Sequence, residues 1–133
     1  MSSPESLRPD GFAAHIGVEW AELDPDHARA TIAIEDHHRQ PYGIVHGGVF
    51  AALAESLCSA ATYAAVMDDG MVAMGQANDT SFVRPITGGM ITARAKARSR
   101  GRTTWVWDVD ILDDEERLCA MVRMTIAVRP RRD

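Results

Sequence analysis

The chain has 133 residues, of which 46% are hydrophobic and 25% are charged, a composition typical of one globular domain. The net charge of −5 and a pI near 5.5 argue against a nucleic-acid partner, because nucleic-acid-binding proteins present a basic face. Cys58 and Cys119 lack the spacing of a zinc or redox pair and lie among apolar residues, which predicts buried free thiols.

The N-terminal sequence contains no basic-then-apolar secretory signal, and Glu55 interrupts the longest apolar segment. We therefore expect no bilayer span and no membrane partner. Free thiols suit a reducing compartment, so the cytoplasm is the expected location. We expect a single domain over residues 1–133, with flexible ends at residues 1–10 and 130–133.

The first third of the chain predicts short elements. Residues 11–17 predict a short helix or turn, and the turn residues Asp24-Pro25-Asp26 join strand candidates 18–23 and 28–35 into a β-hairpin. The polar residues 36–43 predict a loop.

Residues 46–67 are rich in Ala and Leu and predict the one long helix. The four strand candidates that follow it are 71–83, 90–100, 103–112 and 117–129. Their short connections predict antiparallel pairing. A helix that is apolar on nearly every face must be covered all round, which predicts an α+β fold with a curved antiparallel sheet wrapped around one central helix.

Glu55 is the only charged side chain between His46 and Asp68. A carboxylate in an apolar helix is costly unless it is paired or used, so Glu55 is a candidate functional group. The alternatives are a solvent-facing position or a pair with an arginine across a subunit contact. Ser59, four residues later, shares its face and could orient a water, although a bond back to the helix is the commoner role of such a serine.

The start of the helix, His46-Gly47-Gly48, offers unpaired N–H groups that could polarise a carbonyl oxygen, or it is simply a tight turn that needs glycine. His46 and Glu55 are nine residues apart and therefore lie on opposite helix faces. We accordingly predict a two-fold dimer in which each active site is shared between subunits.

Several other chemistries find no support in the sequence. There is no phosphate-binding glycine loop and no Gly-x-Ser-x-Gly elbow, and His37-His38 lacks partners for a metal site, so no metal is expected. Charge alone favours a solvated strand face over a small-anion site for the basic clusters Arg94, Lys96, Arg98, Arg100, Arg102 and Arg129, Arg131, Arg132.

Ordered stretches of the chain resemble the glutamate-type 4-hydroxybenzoyl-CoA thioesterases of the hotdog superfamily (PaaI-like thioesterases). They are QPYGIVHGG at 40–48, ALAES at 52–56, GQAN at 75–78, TSFVRP at 80–85, TTWVWDV at 103–109, and the ending 126–133. The resemblance covers residues 12–133 and implies a hotdog fold. It also implies sheets joined side by side in a homodimer, and a homotetramer built as a dimer of dimers.

The resemblance further implies hydrolysis of an acyl-CoA to the free acid and CoA, with an aryl-CoA such as 4-hydroxybenzoyl-CoA, of the kind met in aromatic catabolism, as substrate. Glu55 would be nucleophile or general base, and the Gly47 N–H would polarise the carbonyl. Gln40 would position the reacting groups, His46 would lie near the sulfur, and Ser59 would orient water.

The same resemblance implies that the CoA phosphates lie near Arg84, Arg102, Thr103 and Arg132. It implies no cofactor beyond the CoA of the substrate. Arg102 departs from the smaller polar residue of close relatives, and the 24–39 segment, which helps shape the acyl pocket, differs more. Two alternatives remain: a hotdog acyl dehydratase, and a non-catalytic acyl-CoA-binding module. The glycine pair at the helix start favours hydrolysis over the dehydratase reaction. The presence of all the candidate catalytic residues argues against a non-catalytic module.

Overall fold

The computed structural model describes residues 8–132. In chain order the elements are α1 (Gly11–His15), β1 (Glu19–Leu23), β2 (His27–Ala33), α2 (Gly47–Val66), β3 (Met71–Phe82), β4 (Met90–Arg100), β5 (Thr104–Leu112) and β6 (Leu118–Pro130). Short 3-10 turns lie at Asp36–His38 and Met67–Asp69. The predicted hairpin, long helix and four later strands are confirmed, with ends that differ by a few residues.

The six strands form one antiparallel sheet in the order β1-β2-β4-β5-β6-β3. This sheet and the one long helix confirm the predicted α+β architecture. Because β1 and β3 are the outer strands, β3 is hydrogen-bonded to β6 on one side only within the chain. An unpaired strand edge of this kind is open to another chain.

The helix α2 packs one stripe of its surface on the concave face of the sheet. Its buried residues recur at helical spacing: Phe50, Leu53, Ala54, Leu57, Cys58, Ala61 and Thr62. They meet buried strand residues such as Ile32, Ile91, Trp107 and Met124. The opposite face is not covered, since Ala51, Ala52, Ser59 and Ala60 are half-buried and Glu55 is exposed. The prediction that the helix is covered all round is therefore wrong for the single chain, because an open sheet curves around one side only.

By length and composition alone, the 23-residue segment Gly47–Asp69 could cross a membrane, so the expectation that no segment meets this criterion is wrong. A single internal glutamate does not lower the mean hydropathy of an Ala- and Leu-rich segment below the value that this criterion requires. The apolar character has another explanation in the fold, since this is the core helix that the sheet partly buries.

The predicted flexible ends are only partly within the described residues, because residues 1–7 and 133 lie outside them. The Asp10 carboxylate caps α1, accepting from the Gly11 N–H at 2.7 Å. Pro130 is the last residue of β6 and pairs with Met71. The predicted tail therefore begins inside a strand, because the register with β3 extends to this residue.

One buried polar link joins the helix to the sheet. The Trp107 indole N–H donates to the Thr62 hydroxyl at 2.9 Å, and this hydroxyl donates to the Cys58 carbonyl at 2.7 Å. Trp107 and Thr62 are both fully buried, so neither group has water as a substitute partner. Cys58 and Cys119 are both buried and unpaired, as predicted.

Thr62→Val keeps the shape of this side chain but leaves the Trp107 N–H without a partner in the core. We expect it to lower the free energy of unfolding by about 1–3 kcal/mol, measured by urea denaturation. The matched control is Thr92→Val, at a half-buried strand position whose hydroxyl has no hydrogen bond among residues 8–132. Equal losses in the two variants would contradict a special role for the link.

Candidate active site

The N-terminus of α2 presents one free backbone donor. His46 is the N-cap, and its Nδ1 accepts from the Gly48 N–H at 2.8 Å. The Gly47 N–H has no hydrogen-bond partner within residues 8–132. A Cβ on residue 47 would lie 2.8 Å from the Phe82 ring, so this position has room only for glycine unless the ring moves. The helix start therefore offers an N–H to a ligand in a tightly packed setting.

A groove of about 370 Å³ opens beside this donor. Among its lining residues are Gln40, Val45, Gly47, Phe50, Phe82 and Arg84. Backbone bonds hold the loop that carries Gln40, since its N–H donates to the Ile44 carbonyl and its carbonyl accepts from the Gly43 N–H, both at 2.9 Å. The structure thus brings three of the predicted site residues to one groove: Gln40, Gly47 and Arg84.

His38 fixes the loop that leads into the helix. Its Nδ1 accepts from the Glu35 N–H at 2.9 Å, and its Nε2 lies 2.7 Å from the Ile16 carbonyl, which requires the Nε2–H tautomer. Its own carbonyl accepts from the His46 N–H at 2.8 Å. The side chain is 1% exposed. His38 is therefore a buried structural residue that holds the loop in place, and it is not part of a polar loop surface.

Glu55 lies on the uncovered face of α2, so the solvent-facing alternative describes this side chain within the single chain. Its carboxylate rests against β3. A Cβ on residue 75 would lie 2.8 Å from Glu55 Oε2, and Glu55 Oε1 accepts from Asn78 Nδ2 at 3.3 Å. Ser59, one turn further along α2, is half-buried, and its hydroxyl makes no hydrogen bond among the described residues, so the alternative of a bond back to the helix is not observed.

One chain does not bring the helix start and Glu55 together. Gly47 and Glu55 are eight residues apart in α2, a rise of about 12 Å along the axis. Glu55 is also absent from the lining of the groove that contains Gly47. The Glu55 carboxylate and the Gly47 N–H therefore do not converge on one point within a single chain.

The predicted CoA-binding residues are divided between two ends of the molecule. Arg84 follows β3, whereas Arg102 and Thr103 lie between β4 and β5, and Arg132 follows β6. Thr103 and Arg132 belong to the end where β3 begins: the Thr103 carbonyl accepts from Arg129, and β6 ends opposite Met71. The 12-residue β3 separates the two ends by roughly 35 Å.

Most of the first basic cluster lies on the convex face of the sheet, where it pairs with acids. Arg98 and Arg123 both bind Asp108, at 3.5 and 3.1 Å. Arg94 pairs with Glu116, and Arg100 with Asp26 at 3.1 Å. These contacts support the solvated strand face over an anion site for this cluster.

Two other kinds of catalytic group are a metal ion and a cysteine thiol. No group of three or more His, Cys, Asp or Glu side chains within residues 8–132 could hold a metal ion. Burial, and then the negative charge of Glu55, raise the pKa of the Cys58 thiol, so it stays protonated at neutral pH.

Sequence reasoning missed the parts of β3 that contact Glu55, because it treated residues 71–83 as a regular strand. Gly75 in a strand interior signals a bulge or a close approach, and Asn78 and Thr80 are polar residues two apart. The nearness of Phe82 to Gly47 had no signal in the sequence, since these positions are 35 residues apart.

A family model described as the thioesterase superfamily matches residues 42–120. The fold is similar to a crystal structure of a thioesterase from Haemophilus influenzae, with a TM-score of 0.90 and 32% identity, covering 98% of this chain and 92% of that one. The sequence is 33% identical over 114 residues to the proofreading thioesterase EntH of Cronobacter turicensis, covering 86% of this chain and 82% of that protein.

A thioesterase from Staphylococcus aureus is also similar, with a TM-score of 0.86 and 26% identity, covering 90% of this chain and 99% of that one. Its structures were solved with a glutamate and, separately, a glutamine replaced by alanine. Those two positions are 15 residues apart, the same separation as Gln40 and Glu55 here.

His38→Ala removes both ring hydrogen bonds and leaves the Ile16 carbonyl and the Glu35 N–H unpaired. We expect the free energy of unfolding to fall by about 2–4 kcal/mol in urea titrations. The neighbouring exposed His37 provides the control, since His37→Ala should change stability by no more than about 0.5 kcal/mol. A similar loss in both variants would remove the anchoring role.

Proposed function

Because this chain belongs to the thioesterase superfamily and has the hotdog fold of a thioester hydrolase, we propose that it hydrolyses an acyl-CoA to the free acid and CoA. We propose an aryl-CoA such as 4-hydroxybenzoyl-CoA as the preferred substrate. The observation that carries the proposal is the position of Glu55, the one charged residue of α2, on the uncovered face of the helix.

Glu55 can perform hydrolysis by either of two balanced routes. As a general base it takes a proton from water while the water oxygen attacks the thioester carbon; the C–S bond then breaks, and the proton passes to the thiolate. As a nucleophile its carboxylate attacks the carbon and expels the thiolate, and water then cleaves the mixed anhydride. In both routes the Gly47 N–H stabilises the negative charge on the carbonyl oxygen. The glutamine and glutamate replaced in the Staphylococcus aureus thioesterase, with the spacing of Gln40 and Glu55, support this pairing of roles.

The remaining candidate residues have supporting roles in this proposal. Gln40, in the groove beside Gly47, would position the reacting groups. The exposed His46 would lie near the leaving sulfur, and the free hydroxyl of Ser59 would orient the attacking water.

The active sites in this proposal are shared by two subunits. The outer edge of β3 is unpaired within the chain, and apolar side chains near it are exposed, including Met74 at 51% and Phe82 at 59%. Two β3 strands joined antiparallel about a two-fold axis would cover these side chains and the open face of α2. This arrangement brings the Gly47 end of one chain toward Glu55 of its partner. Further pairing into a dimer of dimers is part of the same proposal.

A site shared by two subunits would also bring the proposed CoA-binding residues close together. Antiparallel pairing of the two β3 strands sets the Arg84 end of one chain beside the Thr103 and Arg132 end of the other. Arginine side chains at both places suit the phosphates of CoA. Arg102, in the turn before β5, is part of this proposed set.

The proposed aryl preference is supported by two aromatic rings beside the donor. Phe50 and Phe82 line the groove with Gly47, and their ring centroids are 6.3 Å apart. Rings placed in this way favour a flat acyl group over a flexible chain. Membership of the thioesterase superfamily favours hydrolysis over the acyl-dehydratase and binding-module alternatives.

The first test is hydrolysis of 4-hydroxybenzoyl-CoA, benzoyl-CoA, hexanoyl-CoA and palmitoyl-CoA. The release of the free thiol of CoA measures the rate. We expect the wild type to favour an aryl-CoA, and Glu55→Ala to lose activity by a factor on the order of 10² or more, the scale of a positioned acid–base group. Glu22→Ala, on the edge strand β1, is the control and should retain full activity. Turnover that survives in Glu55→Ala would remove this residue from the mechanism.

Mixing two inactive variants tests the shared site. Glu55→Ala and Gln40→Ala chains, unfolded together and refolded in equal amounts, should recover about a quarter of wild-type activity. This follows because each shared site draws its two parts from two independently assorted chains. Mixing Glu55→Ala with the double variant that also carries Gln40→Ala should recover nothing. The absence of recovery in the first mixture would place the whole site within one chain.

A further inference from the structure

A β-bulge in β3 sets the side chains that face Glu55. Gly75 pairs with Ile126 and Ala77 with Thr125, so Gln76 is an extra residue without an opposite partner on β6. Ile126 and Met124 are fully buried under the helix, and they lie opposite Gly75 and Asn78. Gly75 and Asn78 therefore both face α2, although residues three apart in a regular strand would face opposite sides.

The two positions have complementary effects on the Glu55 carboxylate. Gly75 leaves room for it, since a Cβ there would lie 2.8 Å from Oε2. Asn78 supplies a donor, since Nδ2 lies 3.3 Å from Oε1 and 3.0 Å from the Ala51 carbonyl. Ala51 and Glu55 are one helical turn apart, so a single amide group spans both acceptors.

Hydrogen bonding fixes the orientation of this amide. The Ala51 carbonyl and the Glu55 carboxylate only accept, so the NH₂ group of Asn78 must face them. Its Oδ1 then faces Thr80, whose hydroxyl donates to it at 2.6 Å. The chain Thr80 to Asn78 to Glu55 is thus a directed series of hydrogen bonds that ends on the carboxylate.

We propose that Asn78, oriented by Thr80, is a positioning residue that holds the Glu55 carboxylate in its reactive direction; this inference rests on the proposed function. Glu55 has three rotatable side-chain bonds and stands on an uncovered helix face, so packing alone does not select its rotamer. A donor aimed at Oε1 selects one rotamer and so fixes the direction of the carboxylate.

A purely structural role for Asn78 is the competing explanation, since its bond to the Ala51 carbonyl also ties β3 to α2. Asn78→Asp separates the two roles. Asp has nearly the same shape, but it cannot donate when ionised and places a negative charge beside Glu55. If Asn78 positions Glu55, this variant should be at least as damaging as Asn78→Ala.

The experiment uses the CoA thioester of the four-member panel that the wild type hydrolyses fastest. We expect Asn78→Ala and Asn78→Asp to lower kcat by about 10- to 100-fold, with KM changed less than about twofold. Thr80→Val should lower kcat by about three- to tenfold and add little to Asn78→Ala, because both act through one amide. The control is Ser81→Ala, which removes a hydroxyl from the next residue of β3, on the opposite face.

The decisive measurement repeats Asn78→Ala in the Glu55→Ala background. If Asn78 acts through Glu55, Asn78→Ala should lower the residual activity of Glu55→Ala by less than about twofold. An independent structural effect would lower it by the same factor as in the wild-type background. Thermal unfolding of each variant shows whether a loss reflects unfolding.

The outcomes distinguish the positioning role of Asn78 from the proposed function. Full activity in Asn78→Asp, or an undiminished effect in the Glu55→Ala background, would overturn the positioning role while leaving Glu55 as the catalytic group. A wild type that hydrolyses none of the four thioesters, or a Glu55→Ala variant that keeps its turnover, would overturn the proposed function and this inference with it.

Discussion

The packing of α2 on one concave sheet is the constraint on which the other features depend. The helix buries a single stripe that contains Phe50, Leu53 and Leu57, and this burial supplies the core of a small domain. An open antiparallel sheet with two free edges cannot enclose the whole circumference of the helix. The opposite stripe, with Glu55 and Ser59, therefore stays accessible. A carboxylate can be kept in an apolar helix only on such a face, because complete burial without a partner would cost too much free energy.

The strand β3 serves both the core and the candidate active site. Its pairing with β6 closes the sheet beside the helix, and its other edge is unpaired. The bulge at Gln76 shifts the side-chain alternation by one residue, so that Gly75 before it and Asn78 and Thr80 after it all face the helix. At its end, Phe82 packs on Gly47 at the helix start. One edge strand thereby contacts both halves of the proposed chemistry.

The candidate set is nevertheless divided in each chain. Gln40, Gly47 and Arg84 share a groove at one end of the molecule, whereas Glu55 and Ser59 lie further along the helix. Thr103 and Arg132 lie at the far end, where β3 begins. A two-fold operation that reverses β3 is the simplest geometry that joins these parts, which is why the proposed function includes a second subunit.

Local signals in the sequence were sufficient for the element order and for the residues that stand out chemically. Strand alternation, turn residues and an Ala- and Leu-rich segment are properties of neighbouring residues, and they determined the hairpin, the helix and the four later strands. Glu55 was identifiable because it is the one charge in that segment. Long-range geometry was not available from such signals: the half-covered state of α2, the continuation of β6 to Pro130, and the burial of His38.

The sequence by itself determined the fold class, the family resemblance and Glu55 as the candidate carboxylate, because these follow from composition, periodicity and ordered short motifs. Only the tertiary structure decided what surrounds that carboxylate. The contacts of Glu55 with Gly75 and Asn78 depend on the register of β3 against β6 and on one extra residue in that register. Register is set by packing between strands far apart in the chain, and so it cannot be derived from any local run of residues.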